Sequence, residues 1–237
     1  MDDASSLAAW AALLADRTRA AFCLALMDGR AWTVGELARH AGVAMSTASE
    51  HAGRLVTGGL LTEHRQGRHR YLALATPEVA TLIETVTAAT DQRPSPVRSL
   101  SAAHRGRNLA YARTCYDHLA GTVGVALADG MTATGMLTRQ NGLSLTPAGR
   151  TRLTALGVTL DTPGRRPLLR DCLDWTERRP HLAGTTGAAL LRHALAAAWL
   201  IRIGTGRALR LTERGHTAFT THFGAVLDSP AAPKPRL

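Results

Sequence analysis

The sequence predicts a mainly α-helical protein with short β-hairpins, in which an N-terminal winged helix-turn-helix precedes a C-terminal domain of two winged-helix-like repeats. Three observations lead to this prediction. Residues 31–72 combine a capped helix, a tight turn, a second helix and an alternating hairpin. The chain of 237 residues is longer than the roughly 90 residues that one winged helix needs. The segment 118–127 also recurs, in closely similar form, at 181–190.

The first helix of the motif has clear start and stop signals. Thr33 followed by Glu36 is the pattern of a capping box, in which two otherwise unpaired backbone donors are satisfied. Gly42 then permits the left-handed turn. A second helix is predicted from about Ser46 to Val56. Its inward-facing positions are small or apolar: Ala48, Ala52 and Leu55.

The polar face of the second helix and the basic hairpin behind it predict contacts with double-stranded DNA. Short donors and acceptors reach base edges from a helix in the major groove. Arginines on a hairpin, here with strands at 60–63 and 69–74 and a tip at 65–68, suit phosphates or the minor groove. The alternative is a helical hairpin whose arginines are only solvated. The predicted DNA-binding residues are Ser46, Thr47, Ser49, His51, Arg54, Arg65, Arg68, His69 and Arg70.

Residues 16–84 resemble the ArsR family of bacterial repressors in four successive stretches, ADRTRAAFCLALMDGR, TVGELARHAGV, STASEHAGRLVTGGLL and RQGRHRYLAL. The resemblance implies a homodimer formed by an N-terminal helix near Ser6–Ala15 and by the helix Pro77–Val86. It also implies repression at an operator that an inducer relieves. One departure concerns the second helix, where Ala44 replaces the family's capping Ser or Thr and leaves Ser46 as the candidate cap.

Neither metal site of that family is expected in this chain. The metal-sensing members carry paired cysteines on the first motif helix, where this chain has Glu36-Leu37-Ala38-Arg39. Their second site needs carboxylates and histidines on the helix after the wing, and residues 77–84 offer only carboxylates.

Composition indicates a cytoplasmic chain without a membrane span. Three widely spaced cysteines argue against a disulfide framework. No run reaches the roughly 18 apolar residues of a membrane helix, and the acidic start shows no secretory pattern. The net charge of +10 favours a polyanionic partner. Residues 1–90 hold 8 arginines against 9 acidic residues, so the basic surplus lies beyond them.

A proline-broken stretch at 91–98 separates the two halves of the chain. The predicted organisation is a DNA-binding and dimerisation domain at 1–90, a linker at 91–108 and a regulatory domain of two repeats at 109–226. A disordered tail is predicted at 227–237, where prolines are frequent and little can be buried.

Each repeat carries a cysteine ahead of a histidine, Cys115 with His118 and Cys172 with His181. On a helix, residues three apart share a face. If a pseudo-two-fold axis brings the copies together, the four side chains form a site for a soft metal ion or a thiol sensor of oxidants.

The alternative is that these four residues belong to the core, beside close helix contacts through Gly121, Gly124, Gly184 and Gly187. We expect the core arrangement from sequence, and therefore no metal and no cofactor. Cys23 is likewise expected in the core. Asp117 and Asp174 are expected to pair with arginines such as Arg113 and Arg178.

These features together predict a transcriptional regulator, a homodimeric repressor released by an inducer sensed in the C-terminal domain. Two alternatives stay open: a repressor that senses metal or thiol oxidation through the four Cys and His residues, and an architectural DNA-binding protein without an inducer. An enzyme is not expected, because a Cys and a His in one helical turn leave no room for a substrate. The sequence also lacks the glycine-rich, serine-elbow and zinc-protease motifs.

Overall fold

A computed structural model describes residues 3–67, 69–90, 100–160, 166–204 and 206–227. The chain divides into two compact units, Met1–Val86 and Thr87–Leu237. None of the helices in the described ranges is long and apolar enough to cross a membrane. The first half of the predicted linker, at 91–99, and the predicted tail beyond residue 227 lie outside the described residues.

The N-terminal unit is a winged helix-turn-helix with one three-stranded antiparallel sheet of order β1-β3-β2. Two helices precede the motif, and a further helix follows the wing and continues past the unit's last residue. The elements are α1 (Asp3–Leu14), α2 (Arg17–Leu26), β1 (Trp32–Thr33), α3 (Val34–Ala41), α4 (Met45–Thr57), β2 (Leu61–Gln66), β3 (His69–Leu74) and α5 (Pro77–Ala89).

The helix-turn-helix forms from the local signals that the sequence carries. Thr33 caps α3 in a complete capping box with Glu36, and Gly42 ends the helix in the left-handed conformation at φ 69°. The inward positions of α4 are buried as predicted: Ala48, Ala52 and Leu55 are each 0% exposed. The expectation that Ser46 caps α4 is wrong. Ala44 occupies the cap position without a side-chain bond, and Ser46 lies inside the helix.

The wing hairpin is longer than predicted. Arg65 and Gln66, expected at the tip, continue β2 and pair with Arg70 and His69 across the ladder. Gly67 follows β2 with a φ of 58°, which suits a tight hairpin turn, and Arg68 lies outside the described residues.

Replacing the capping residue tests the start of α3. We expect Thr33→Ala to lower the free energy of unfolding by about 1 kcal/mol. Hydrogen bonds from the backbone and hydroxyl of Thr33 lower the pKa of Glu36 below its usual 4.5. A carboxylate whose pKa is lower in the folded than in the unfolded protein stabilises the fold at pH values above its unfolded-state pKa. This stabilisation is lost as the pH falls through its folded-state pKa. The difference in unfolding free energy between the wild type and Thr33→Ala, measured by denaturant titration, should therefore shrink below about pH 4.5. Thr85→Ala, at an exposed site, is the control. Equal costs for both changes would contradict the capping role.

The second unit repeats one order of elements twice, each copy running hairpin, helix, hairpin, helix. A leading helix, α6 (Leu100–Tyr111), begins inside the range assigned to the linker. The first copy is β4 (Arg113–Cys115), β5 (His118–Ala120), α7 (Thr122–Ala133), β6 (Leu137–Thr138), β7 (Ser144–Leu145) and α8 (Pro147–Ala155). The second copy is β8 (Arg170–Leu173), β9 (Pro180–Ala183), α9 (Gly184–Ala196), β10 (Leu200–Arg202), β11 (Leu209–Leu211) and α10 (Glu213–Phe223).

The predicted helix across Cys115 and His118 is wrong. α6 ends at Tyr111, and the two residues face each other as partners in the β4–β5 ladder. A spacing of three suits both a helical turn and a hairpin with a two-residue turn. Tyr116, at φ 57°, supplies the left-handed residue of that turn, a conformation that the sequence does not signal because tyrosine rarely adopts it. The sequence argument against an enzyme assumed that Cys115 and His118 share one helical turn, and the hairpin removes that assumption.

Each repeat completes the core of the other. The hairpin strands β5 and β9 pack side by side, while α9 packs against β5 and α7 packs against β9. Gly187 lets α9 pack closely against β9 and β5, because a Cβ there would come within 2.4 Å of the Leu182 carbonyl oxygen and 3.2 Å of the His118 Cβ. One buried cluster runs through both copies, from Leu119 and Leu127 to Leu190 and Phe219.

Candidate functional site

The outer face of α4 presents several of the predicted DNA-reading side chains. Ser46, Ser49 and Arg54 are exposed, and Thr47 is half-buried. Arg54 is joined to Glu50, one turn earlier, by an exposed ion pair of 2.7 Å. Because the inward face of the same helix is buried, these residues are fixed on the side away from the core.

His51 points in a different direction from the other predicted DNA-reading residues. Its Nδ1 lies 3.6 Å from a carboxylate oxygen of Asp16 and 3.5 Å from a guanidinium nitrogen of Arg19. Asp16 itself caps α2 by accepting from the Arg19 backbone N–H. The half-buried ring therefore ties α4 to the start of α2, and its predicted base contact stays a prediction.

The wing carries an acidic residue between its arginines. Glu63 accepts hydrogen bonds from Arg65 at 2.9 Å and from Arg70 at 2.7 Å. These bonds lower the pKa of Glu63, so it is ionised at neutral pH. The wing thus holds two ordered guanidinium groups at reduced net charge, with His64 and His69 exposed beside them. The hairpin therefore carries the kinds of polar and basic side chains that contact the phosphate backbone of DNA.

Two helices of the N-terminal unit expose apolar side chains. α1 has no buried residue although it is rich in alanine and leucine, and its Leu7 is 69% exposed. On α5, Leu82 and Val86 lie one turn apart and are each 45% exposed. Exposed apolar side chains that neighbour each other on a helix, as on α5, are typical of a protein–protein interface.

In the second unit, the structure brings together the four Cys and His residues that the sequence singled out. The Sγ atoms of Cys115 and Cys172 are 3.9 Å apart, and the Nε2 atoms of His118 and His181 are 3.1 Å apart. Their potential ligand atoms all lie within 4.8 Å of one another, and all four residues are buried. The two cysteines are not joined by a disulfide.

The two hairpins place this cluster symmetrically. Cys172 pairs with His181 across the β8–β9 ladder, as Cys115 pairs with His118 across β4–β5. The longer loop of the second copy leaves this pairing unchanged. The hydrogen bond with Cys115, together with those from both histidines, holds the pKa of the Cys172 thiol well below its usual range despite burial. By contrast, burial raises the pKa of Cys23, a core residue as predicted, to about 12.

Each histidine of the cluster is backed by a carboxylate on its other ring nitrogen. The Nδ1 atom of His118 lies 3.3 Å from Asp117, and that of His181 lies 3.3 Å from Asp174. Burial raises the pKa of Asp117, but hydrogen bonds from His118 and Arg166 lower it to about 2. Burial likewise opposes ionisation of Asp174, yet His181 and Arg113 hold its pKa far below the usual range. Both carboxylates are therefore negatively charged.

Both aspartates pair with arginines as predicted, Asp174 with one of the two arginines named from the sequence and Asp117 with another. Arg113 pairs with Asp174 of the other repeat at 2.8 Å, with both side chains 0% exposed. Asp117 pairs with Arg166, which sequence reasoning missed because no local spacing links residues 49 apart. Arg178 contacts Asp174 through its backbone N–H, which donates to the Asp174 carbonyl oxygen.

Comparison with known proteins places the chain in a family. A family model described as a helix-turn-helix domain matches residues 14–64. The uncharacterized HTH-type transcriptional regulator YdfF of Bacillus subtilis (strain 168) is 38% identical over 225 residues, which cover 94% of this chain and 99% of YdfF.

Two solved structures that are similar to this chain each cover 40% of it or less. The homodimeric winged helix-turn-helix domain Mb0332 of Mycobacterium bovis, described as a possible ArsR-family regulator, is 26% identical with a TM-score of 0.36, over 40% of this chain and 92% of that one. The transcriptional repressor BigR of Xylella fastidiosa is 22% identical with a TM-score of 0.35, over 38% of this chain and 91% of that one. From the near full-length relative and the matching domain, the chain belongs to the helix-turn-helix family of transcriptional regulators.

Proposed function

We propose that this regulator is a homodimeric repressor that occupies a double-stranded DNA operator and is released by a signal received in the second unit. The observation that carries the proposal is α4, a helix with a buried inner face and a polar outer face directly ahead of an arginine-bearing hairpin. Helix and hairpin in this order fit a major groove and the adjoining backbone.

The roles of the two elements differ. Ser49 is exposed on α4 and carries a short hydroxyl suited to a base edge. Arg54 lies nearer the end of the helix and, like Arg65 and Arg70 on the wing, suits a phosphate. Glu63 orders the two wing arginines and limits their attraction for DNA of any sequence, which favours a protein that depends on base contacts.

Dimer formation is supported by the apolar surfaces of α1 and α5. Leu7, Leu82 and Val86 are exposed although each is strongly apolar. Burying them against a second copy removes this surface from water, at roughly 25 cal/mol for each Å². Two copies would also present two recognition helices to two half-sites of one operator.

The second unit supports the role of a signal receiver through its construction. Its two repeats share one core, so a ligand or a chemical change at their junction alters both copies together. The repeats carry most of the chain's basic surplus, which also fits an architectural DNA-binding role. A repressor and an architectural protein differ in whether their binding to DNA responds to a signal.

Two substitutions separate base reading from backbone contact. With operators mapped by genomic binding, we expect Ser49→Ala to change preference at particular base positions, by roughly 1–3 kcal/mol each. Arg65→Ala should weaken binding to all sequences alike and lower the salt slope by about one. Arg214→Ala, an exposed arginine on α10, is the control and should leave the slope unchanged. An unaltered motif for Ser49→Ala in selected-site sequencing would refute the assignment of α4.

A further inference from the structure

The two repeats meet at a buried cluster of two cysteines and two histidines. Cys115, His118 and His181 are no more than 2% exposed, and Cys172 is 7% exposed. Each copy contributes one thiol and one imidazole from a paired position of its hairpin. The cluster therefore joins the copies through side chains that are ligands of soft metal ions.

The spacing of the ligand atoms matches a tetrahedral ion. With zinc–sulfur bonds of about 2.3 Å and zinc–nitrogen bonds of about 2.0–2.1 Å, tetrahedral geometry separates two sulfurs by about 3.8 Å and two nitrogens by about 3.3 Å. The corresponding distances here are 3.9 Å and 3.1 Å. A disulfide would instead require sulfurs about 2.05 Å apart.

The carboxylates behind the histidines point to the same conclusion. Asp117 and Asp174 each lie 3.3 Å from an Nδ1 atom, a placement that favours a proton on Nδ1 and leaves the Nε2 lone pair directed toward the cluster. With that tautomer on both rings, the two Nε2 lone pairs, 3.1 Å apart, repel unless a cation lies between them. A carboxylate on the outer nitrogen of a ligating histidine is the usual support of a zinc site.

We propose that Cys115, His118, Cys172 and His181 bind one zinc-class divalent cation that holds the two repeats together. This proposal replaces the expectation from sequence that the four residues are core without metal. With four protein ligands and no exposed position, the site is of the closed, structural kind rather than a catalytic one. It is independent of the proposed function, because its test needs no DNA.

The test is metal analysis of untagged full-length protein purified under reducing conditions. We expect one zinc per chain by elemental mass spectrometry. After chelation, cobalt(II) should restore one equivalent and give the intense visible absorption of a tetrahedral ion together with thiolate-to-cobalt charge transfer. Because the wild-type protein alone gives this spectrum, the test does not depend on whether a variant folds.

Substitutions then locate the ion. Cys172→Ser should remove the metal, Cys23→Ala should retain it, and His181→Cys should retain it with a stronger thiolate charge-transfer band. The proposal is overturned if reduced wild-type protein holds no metal and gives no cobalt spectrum. It is equally overturned if Cys172→Ser still holds one equivalent.

Discussion

Asp174→Ala is expected to be among the most destabilising single changes in the second unit. Asp174 pairs with Arg113, and neither side chain is exposed to solvent. Its carboxylate also accepts from the backbone N–H groups of Gly121, Thr176 and Glu177. Removing it leaves a buried guanidinium charge without its counter-ion, which costs about 3–5 kcal/mol. Chemical denaturation followed by tryptophan fluorescence measures the loss, and a second unit that no longer folds is the extreme result.

An exposed ion pair of the same residue types provides the matched control. Asp171 and Arg139 are joined by two hydrogen bonds of 2.6 and 2.8 Å, but their side chains are 41% and 38% exposed. Because solvent screens such a pair, Asp171→Ala should cost no more than about 1 kcal/mol. Similar costs for both aspartates would show that burial of the Arg113 charge does not govern stability here.

Val86→Glu on α5 is expected to separate the dimer and abolish tight operator binding. Val86 and Leu82 form an exposed apolar stripe on a helix that the dimer proposal places at the interface. A carboxylate there would face its own copy across the two-fold axis, in surroundings that lack water. Losing the second recognition helix should lower operator affinity on the order of a hundred-fold or more, since two linked contacts reinforce each other.

Sedimentation and operator titration measure the two effects on the same sample. Val226→Glu, at a valine of the second unit that is 91% exposed, adds the same charge away from α5 and should change neither. If Val86→Glu remained dimeric with unchanged affinity, the interface would lie elsewhere. A monomer that still bound the operator as tightly as wild type would instead contradict the need for two recognition helices.

Much of the N-terminal unit could be predicted because its signals are local. Thr33, Glu36 and Gly42 fix both ends of α3 within ten residues, and the alternation from Leu61 to Leu74 fixes the wing. The internal repeat likewise predicted two similar units, and in the structure each copy has a threonine cap, Thr146 or Thr212, after a short strand. It did not predict the hairpin that opens each copy.

The cluster itself was harder to predict because its members are distant in the chain. The sequence supplied the four residue types, but the helix assumed for Cys115 and His118 placed them on one face rather than across a hairpin. The pairing of Arg113 with Asp174, and of Asp117 with Arg166, depends on how the copies pack. No periodicity within one copy contains that information. The orientation of the His51 side chain also depends on a tertiary neighbour, Asp16.

The exchange of packing between α7 and α9 has a consequence for folding. Each hairpin is covered mainly by the helix of the other copy, so one copy alone would leave much of its hairpin and of its apolar helix face in water. The duplicated halves therefore cannot gain or lose structure one at a time. They are expected to unfold in a single cooperative transition, because the unit that folds contains both copies and is larger than one sequence repeat.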